Sequence, residues 1–353
     1  MKDIERNLAT WRQNIAAQVR TVIDDVENQA REDFSNDHYI FKELQLASQI
    51  GKAWRGGLCL LSAESFGAKE TKIVEQVAGL IEVLHYALLI HDDIIDESPI
   101  RRDTLSFPAR LKAIFEGRGV LAYERHGVGT AIAVGDYLIQ FVLNQLISLE
   151  CANETKVELL TLFLNILTRT TRAQVYDAVA HEPTHNIDDV LHLYESKTGA
   201  YSFVLPLVSG FILSHTPDET TRLFLKAIGE SLGIAFQALD DLAGFNENGN
   251  SKNLIEDLNN KQPTLWCALL LPELNRSEKE KFNYTFWLDQ IPLSQANYVR
   301  ELCGKYKIRE KILDMVQDHT GLCHDLVHDL PISKQNRRLF HQFVGLVQEY
   351  SGV

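Results

Sequence analysis

Residues 70–96 read ETKIVEQVAGLIEVLHYALLIHDDIID. The apolar residues recur at helical spacing and continue to the end of the stretch, where three carboxylates interrupt them. The spacing predicts one helix over 70–96 with Asp92 and Asp96 a turn apart on one face and Asp93 about 100° round. Nothing basic lies within that turn, and the C-terminal end of a helix disfavours negative charge. Carboxylates crowded into an apolar segment repel one another and desolvate at a cost, so a cation belongs among them. Mg2+ suits this chemistry, because it binds one or two carboxylates together with substrate phosphates. A second acidic pair, Asp240-Asp241, answers the first far downstream. The two clusters are expected to be metal-binding walls gripping one polyanionic substrate.

Working outward, nearly every other segment shows the same helical period, and convincing alternating strands are absent. Helices are expected near 3–32, 38–67, 70–96, 127–150, 153–181, 187–213, 217–246, 262–271, 276–288, 293–316 and 334–350. The chain therefore reads as all-α, a single domain over 1–353 with 317–353 as a C-terminal helical tail. Two breaks, 97–126 and 246–263, each follow an acidic cluster and are expected to be lids. The 353 residues carry 35 basic and 48 acidic side chains, a net charge of −13. That balance argues against nucleic acid as a partner. The five cysteines form no CxxC pair and read as thiols in a reducing compartment. The charged start MKDIERNLATWRQN has no secretory core, so a cytoplasmic location is expected. Residues 127–149 and 199–214 are apolar but polar-interrupted or short, so no transmembrane segment is expected.

Basic residues alternate with the acids along the chain. Lys52 and Arg55 sit three apart beside Trp54, and Arg101-Arg102 follow the first cluster. Lys197-Thr198, Phe236-Gln237, Lys252, Asp257 and Lys261 surround the second. The ordered series resembles the trans-isoprenyl diphosphate synthases, the polyprenyl synthetase family, from about Gly51 to Leu265. Gly51-Lys52-Ala53-Trp54-Arg55-Gly56 is similar to GKRxRP without the middle Arg and the Pro. Glu82-x-x-His85 leading into His91-Asp92-Asp93-x-x-Asp96 matches ExxH…HDDxxD. Arg101-Arg102 matches the arginine pair, with Asp103 where Gly is usual, and Gly135-Asp136 matches GD. Ala173-Gln174-x-x-Asp177 resembles GQxxD, Lys197-Thr198 matches KT, and Phe236-Gln237-x-x-Asp240-Asp241 matches FQxxDD. Lys252…Asp257-Leu258-x-x-Lys261-x-x-Thr264-Leu265 resembles the lysine-rich segment that follows, with Ser251 for Gly. The main departure is Gly244, where many members carry a third aspartate.

The resemblance implies an isoprenoid synthase-type bundle of long antiparallel helices around a central cavity, geranylgeranyl or polyprenyl diphosphate synthase-like, and usually a homodimer. It implies that isopentenyl diphosphate is joined to an allylic diphosphate by Mg2+-assisted ionisation, with several ions per site. Asp92, Asp96 and Asp240 would bind the metal, with Asp93 and Asp241 in support. Arg101, Lys197, Lys252 and Lys261 would steady the allylic diphosphate, while Lys52, Arg55, His85 and Arg102 would hold the other. Thr198 and Gln237 would lie near the reacting carbons. The physics agrees, because ionisation leaves negative charge on diphosphate that metal, Lys and Arg stabilise.

Ala87 and Leu88 lie a little over one turn before Asp92, and a turn advances about 5.4 Å, comparable with one isoprene unit. Ala87 is small where short-product members place a ring, so a product of C20 or longer is expected. Leu84, Leu88, Tyr137 and Phe141 are candidate floors. His181-Glu182-Pro183-Thr184-His185 spells HExxH, but the central proline is incompatible with the regular helix that motif needs. Cys323-His324 and His328 have ligand-like spacing without a partner pair, and read as part of an amphipathic helix. Two other readings stand beside the synthase: a terpene cyclase-like or head-to-head enzyme, and a non-catalytic modulating subunit. Lys52, Arg55 and His85 disfavour a cyclase, which needs no second diphosphate pocket.

Overall fold

The computed structural model describes residues 2–34, 37–47, 51–101, 104–180, 186–216, 218–243 and 252–349. Among them the chain is helical almost throughout, as the periodicity predicts. Two compact units emerge, one of residues 2–164 and 206–217, the other of 165–205 and 218–353.

In the first unit, α1 (Lys2–Asp33), α2 (His38–Ala47), α3 (Trp54–Ser65) and α4 (Thr71–Ile95) precede a two-residue antiparallel ladder. Its strands, β1 (Ile100–Arg101) and β2 (Thr104–Leu105), pair Ile100 with Leu105 and Arg101 with Thr104. Then come α5 (Phe107–Gly117), α6 (Tyr123–Ile147) and the first half of α7 (Asn153–Val179). Helix α4 is the centre of this unit. Val77, Ala78, Leu84 and Ala87 are at most 1% exposed, so apolar groups meet protein on several sides of the helix, the pattern of a core helix. By length and hydropathy α4 and α6 both qualify as possible membrane spans, with 72% and 39% of their most apolar windows buried inside the protein.

The second unit takes the rest of α7, then α8 (Ile187–Tyr194), a π-helix (Glu195–Val204) and the start of α9 (Leu205–Leu213). It continues through α10 (Glu219–Ala243), α11 (Lys252–Asn259), α12 (Leu265–Leu270), a 3-10 turn (Leu271–Glu273), α13 (Arg276–Phe286), α14 (Leu293–Lys305), α15 (Ile308–Asp329) and α16 (Lys334–Gln348). Trp266, Phe282, Leu254, Ile312 and Val299 lie in its core. Arg169 ties the start of the π-helix to α7 and α10, donating to Ser196 Oγ (3.1 Å) and Glu230 (2.6 Å) and pairing with Glu195 (2.9 Å).

Several expected boundaries change. The helix expected over 38–67 is interrupted, because Ala53 takes a left-handed φ of 52° before α3 begins. The helix expected over 293–316 is likewise two, split at Lys307, whose φ is 53°. The expected lid 97–126 contains α5, opened by Ser106 with Pro108 in its first turn, a position proline favours. Within 246–263, residues 252–259 are helical. Residues 187–213 are continuous helix, but the middle is π rather than α. Helix α15 runs through residue 317, where the tail was expected to begin.

Candidate active site

The first acidic cluster closes α4. Asp93 is buried, its side chain 4% exposed, and it accepts from Arg101 Nε (2.7 Å) and Nη2 (2.5 Å). Arg101 comes from the short ladder, whose pairing with β2 sets its backbone opposite Thr104. Burial raises the Asp93 pKa, opposed by the hydrogen bond and charge of Arg101. Asp92 is more open, at 28%, and only grazes the same guanidinium at 3.4 Å. Asp96 caps the helix as its N–H donates back to Asp92 O, with its side chain half-buried.

The Gly135-Asp136 pair owes its identity to His91. A Cβ at Gly135 would stand 2.3 Å from His91 Nε2; only glycine lets α6 cross the imidazole. The same nitrogen then lies 3.3 Å from Ile132 O and 3.4 Å from Asp136. His85, three residues on from Glu82, is buried on α4. Glu82, quoted in the motif but given no role, is 6% exposed and accepts from the Gly56 N–H at 2.9 Å. It thereby fixes the start of α3, where Arg55 lies. Lys52 is exposed with Nζ 5.0 Å from the centre of the Trp54 ring, a cation–π contact. The left-handed Ala53 between them is a strained position of the kind that accumulates at binding sites.

In the second unit, the π-helix carries Lys197 and Thr198. Lys197 Nζ donates to Asp177 at 2.5 Å. Thr198 donates to Gln237 Oε1 on α10 at 2.9 Å. That bond depends on a backbone-to-backbone approach, since a Cβ at Gly233 would stand 2.2 Å from Gly199 Cα. At the end of α10 the two aspartates part company. Asp240 is exposed, yet the protein around it desolvates it enough to raise its pKa. Asp241 is 7% exposed and accepts on one oxygen from the Tyr194 hydroxyl and from the Leu265 N–H (2.8 Å). Burial first, then the Asp257 charge, raises its pKa well above the ordinary value. Lys261, at a left-handed φ of 55°, donates to Leu258 O (2.9 Å) and Leu288 O (3.0 Å), and desolvation lowers its pKa.

The expected residues therefore fall into two groups, each assembled within its own unit: Lys52, Arg55, His85, Asp92, Asp93, Asp96 and Arg101; and Lys197, Thr198, Gln237, Asp240, Asp241 and Lys261. Ala87 has no exposed surface, whereas Leu88 is half-buried. Arg102, Asp103, Gly244, the HExxH run 181–185 and the side chain of Lys252 lie outside the described residues. Among the described residues no three His, Cys, Asp or Glu side chains converge on a preformed metal cage. The donor set still fits Mg2+, which uses one or two carboxylates and completes its shell with substrate phosphates and water. Asp177, Glu82 and Tyr194 were not expected to contribute. The first two stand in quoted motifs, while Tyr194 carries no such signal.

The chain is similar to known proteins in sequence and in fold. The family profile described as Polyprenyl synthetase matches residues 42–290. The octaprenyl diphosphate synthase of Escherichia coli (strain K12) is 28% identical over 238 residues, 66% of this chain and 67% of that protein. The all-trans-nonaprenyl-diphosphate synthase (geranyl-diphosphate specific) of Rhodobacter capsulatus is 31% identical over 218 residues, 61% of this chain and 60% of the other. The fold matches a crystal structure of geranylgeranyl pyrophosphate synthase from Corynebacterium glutamicum, complexed with isoprenyl diphosphate and magnesium. Its TM-score is 0.86 at 18% identity, covering 97% of this chain and 99% of that one.

Proposed function

The chain belongs to the polyprenyl synthetase family, and from that premise we propose that it is a prenyltransferase that lengthens an allylic diphosphate with isopentenyl diphosphate to a trans product of C20 or longer. The observation that carries the reading is a contrast within each acidic pair: Asp92 is half-buried and Asp240 exposed, while their trailing partners Asp93 and Asp241 are buried and held by Arg101 and by Tyr194 and Leu265.

Asp92 and Asp96 in the first unit and Asp240 in the second are the carboxylates that would hold Mg2+ for the allylic diphosphate. The metal, when bound, neutralises the charge that develops as the carbon–oxygen bond ionises. Lys197 adds a cation whose position Asp177 fixes, Arg101 one held by Asp93 and Lys261 one held by two backbone carbonyls, preorganised donors being worth most where charge develops; Lys252 is assigned to the same diphosphate from its motif. Lys52, Arg55, His85 and Arg102 hold isopentenyl diphosphate, with Glu82 bracing the segment of Arg55. Thr198 donates to Gln237 Oε1, which leaves that carbonyl oxygen beside a hydroxyl to face the allylic carbons. The departed diphosphate accepts the proton lost from the new chain, so no dedicated protein base is needed. Leu88, on the more open side of α4 than Ala87, forms the floor that limits the tail.

We also propose that the chain is cytoplasmic and that it forms a homodimer, the dimer supported by apolar side chains left exposed on α6 and early α7: Ile132 (44%), Ile147 (54%) and Val157 (64%). Sedimentation of the purified chain tests the dimer; a monomer at micromolar concentration refutes it. For the activity, protein, Mg2+, isopentenyl diphosphate and allylic primers of several lengths are incubated and the products sized. No elongation with any primer rejects the reading for the isolated chain. Asp92→Ala loses at least about a hundredfold in kcat, whereas the exposed Asp318→Ala does not; equal activities rule out the metal role.

A further inference from the structure

Three chain segments meet at one buried point. Tyr194, 4% exposed, ends α8; Asp241, 7% exposed, lies near the end of α10; Leu265, 0% exposed, begins α12. The Tyr194 hydroxyl donates to Asp241 Oδ2, and the Leu265 N–H donates both to that oxygen (2.8 Å) and to the Tyr194 hydroxyl oxygen (2.9 Å). Each member adjoins a residue with chemistry to do. Tyr194 is three residues before Lys197, Asp241 follows Asp240, and Leu265 is four residues past Lys261.

Burying a carboxylate is expensive, and apolar packing of the same volume is often at least as stable. What the polar junction adds is direction. A phenol, a carboxylate and an amide satisfy one another in a single geometry, so the ends of α8, α10 and α12 cannot rotate independently. The first unit shows a similar contrast, with Asp93 at 4% exposure held by Arg101 at 2.5–2.7 Å and Asp92 at 28% exposure meeting the same guanidinium at 3.4 Å.

On the prenyltransferase reading above, we propose that Tyr194 is a positioning residue. Through Asp241 it sets the angle at which α10 presents Asp240 and Gln237, and it pins the chain that leads from Lys261 into α12. Asp241 is then the middle of a latch rather than a metal ligand.

The test is a cycle of Tyr194→Phe, Asp241→Asn and the double variant, all conservative in volume. The readouts are the Mg2+ concentration for half activity, KM for each substrate, and amide exchange of the peptide containing Leu265. Tyr194→Phe is expected to raise the Mg2+ requirement and the allylic KM roughly tenfold, the scale of one buried charge-assisted hydrogen bond. Its KM for isopentenyl diphosphate stays within about twofold, and exchange at Leu265 accelerates by a similar tenfold. The double variant is no worse than the worse single one, as expected for residues that act as a unit. Effects that multiply, with Tyr194→Phe leaving exchange at Leu265 unchanged, make Asp241 an independent ligand and overturn the latch. A lower Tm with unaltered Mg2+ requirement and KM makes the junction merely structural and also overturns it. Loss of elongation by the wild type overturns the prenyltransferase reading alone, because amide exchange reports on the latch without activity.

Discussion

Replacing Gly233 by alanine tests how tightly the π-helix must lie on α10. The new Cβ would stand 2.2 Å from Gly199 Cα and 2.5 Å from Gly199 N, more than an ångström inside ordinary van der Waals contact. Both atoms are backbone, so no side chain can swing away and the two helices must separate. Overpacking of this kind costs typically 1–3 kcal/mol, and the absence of a yielding side chain puts this site near 3. Alanine returns about 1 kcal/mol through its better helix propensity. The net is a loss of about 2 kcal/mol, or about 4–8 °C in Tm for a cooperative unit of 150–250 residues. Gly321→Ala is the matched control. It lies within α15, where an added Cβ meets nothing within 4 Å, so the propensity gain stands alone and Tm rises by about 2–4 °C. Differential scanning calorimetry on the two variants gives opposite signs for the same chemical change. A Gly233→Ala protein that melts at or above wild type refutes the close-approach reasoning. Gly233→Ala also loses activity below its melting temperature, since parting the helices lengthens the Thr198–Gln237 bond.

Glu82→Ala leaves the Gly56 N–H buried without its acceptor and loses about 1–3 kcal/mol of stability; KM for isopentenyl diphosphate rises while the allylic KM holds, and steady-state kinetics with each substrate varied in turn separates the two. Leu88→Phe shortens the product on chromatography with little change in Tm, whereas Ala87→Phe shortens it only with a 1–3 kcal/mol overpacking cost in the core; an unchanged product from both sinks the ruler on α4. His324 and His341 bring their Nδ1 atoms to 2.7 Å between α15 and α16, and burial lowers both pKa values, His341 further through His324, Arg337 and His328 and His324 less because of Asp325. Folded values below the ordinary 6.5 mean the unfolded chain binds more protons, so stability falls as pH drops from about 6.5. A melting curve followed from pH 7.5 to 5.5 flattens in His341→Gln; an identical slope in that variant refutes the pairing.

Much of this molecule is legible in its sequence. Helix α4 follows its apolar period to within a residue or so at either end, and the two acidic pairs announce themselves. The breaks are harder, because three of them turn at Ala53, Lys261 and Lys307, all left-handed. Glycine or asparagine would have signalled those turns; alanine and lysine carry no such mark. The π stretch is hidden for a related reason, since no residue type marks a π turn and only i to i+5 hydrogen bonding distinguishes it from an α-helix. Within each acidic pair, local sequence cannot say which carboxylate is the more deeply buried. That depends on Arg101, eight residues past Asp93, and on Tyr194 and Leu265, 47 and 24 residues from Asp241.

The meeting of Gly135 and His91 has a consequence for how this chain can vary. The ring of one residue fills the space a side chain would need at the other, so neither position is free to drift alone. An alanine at 135 is survivable where residue 91 surrenders its ring, and a smaller residue at 91 opens a void that only a larger one at 135 refills. Two motifs read from the sequence as separate words are, in three dimensions, one compensating pair.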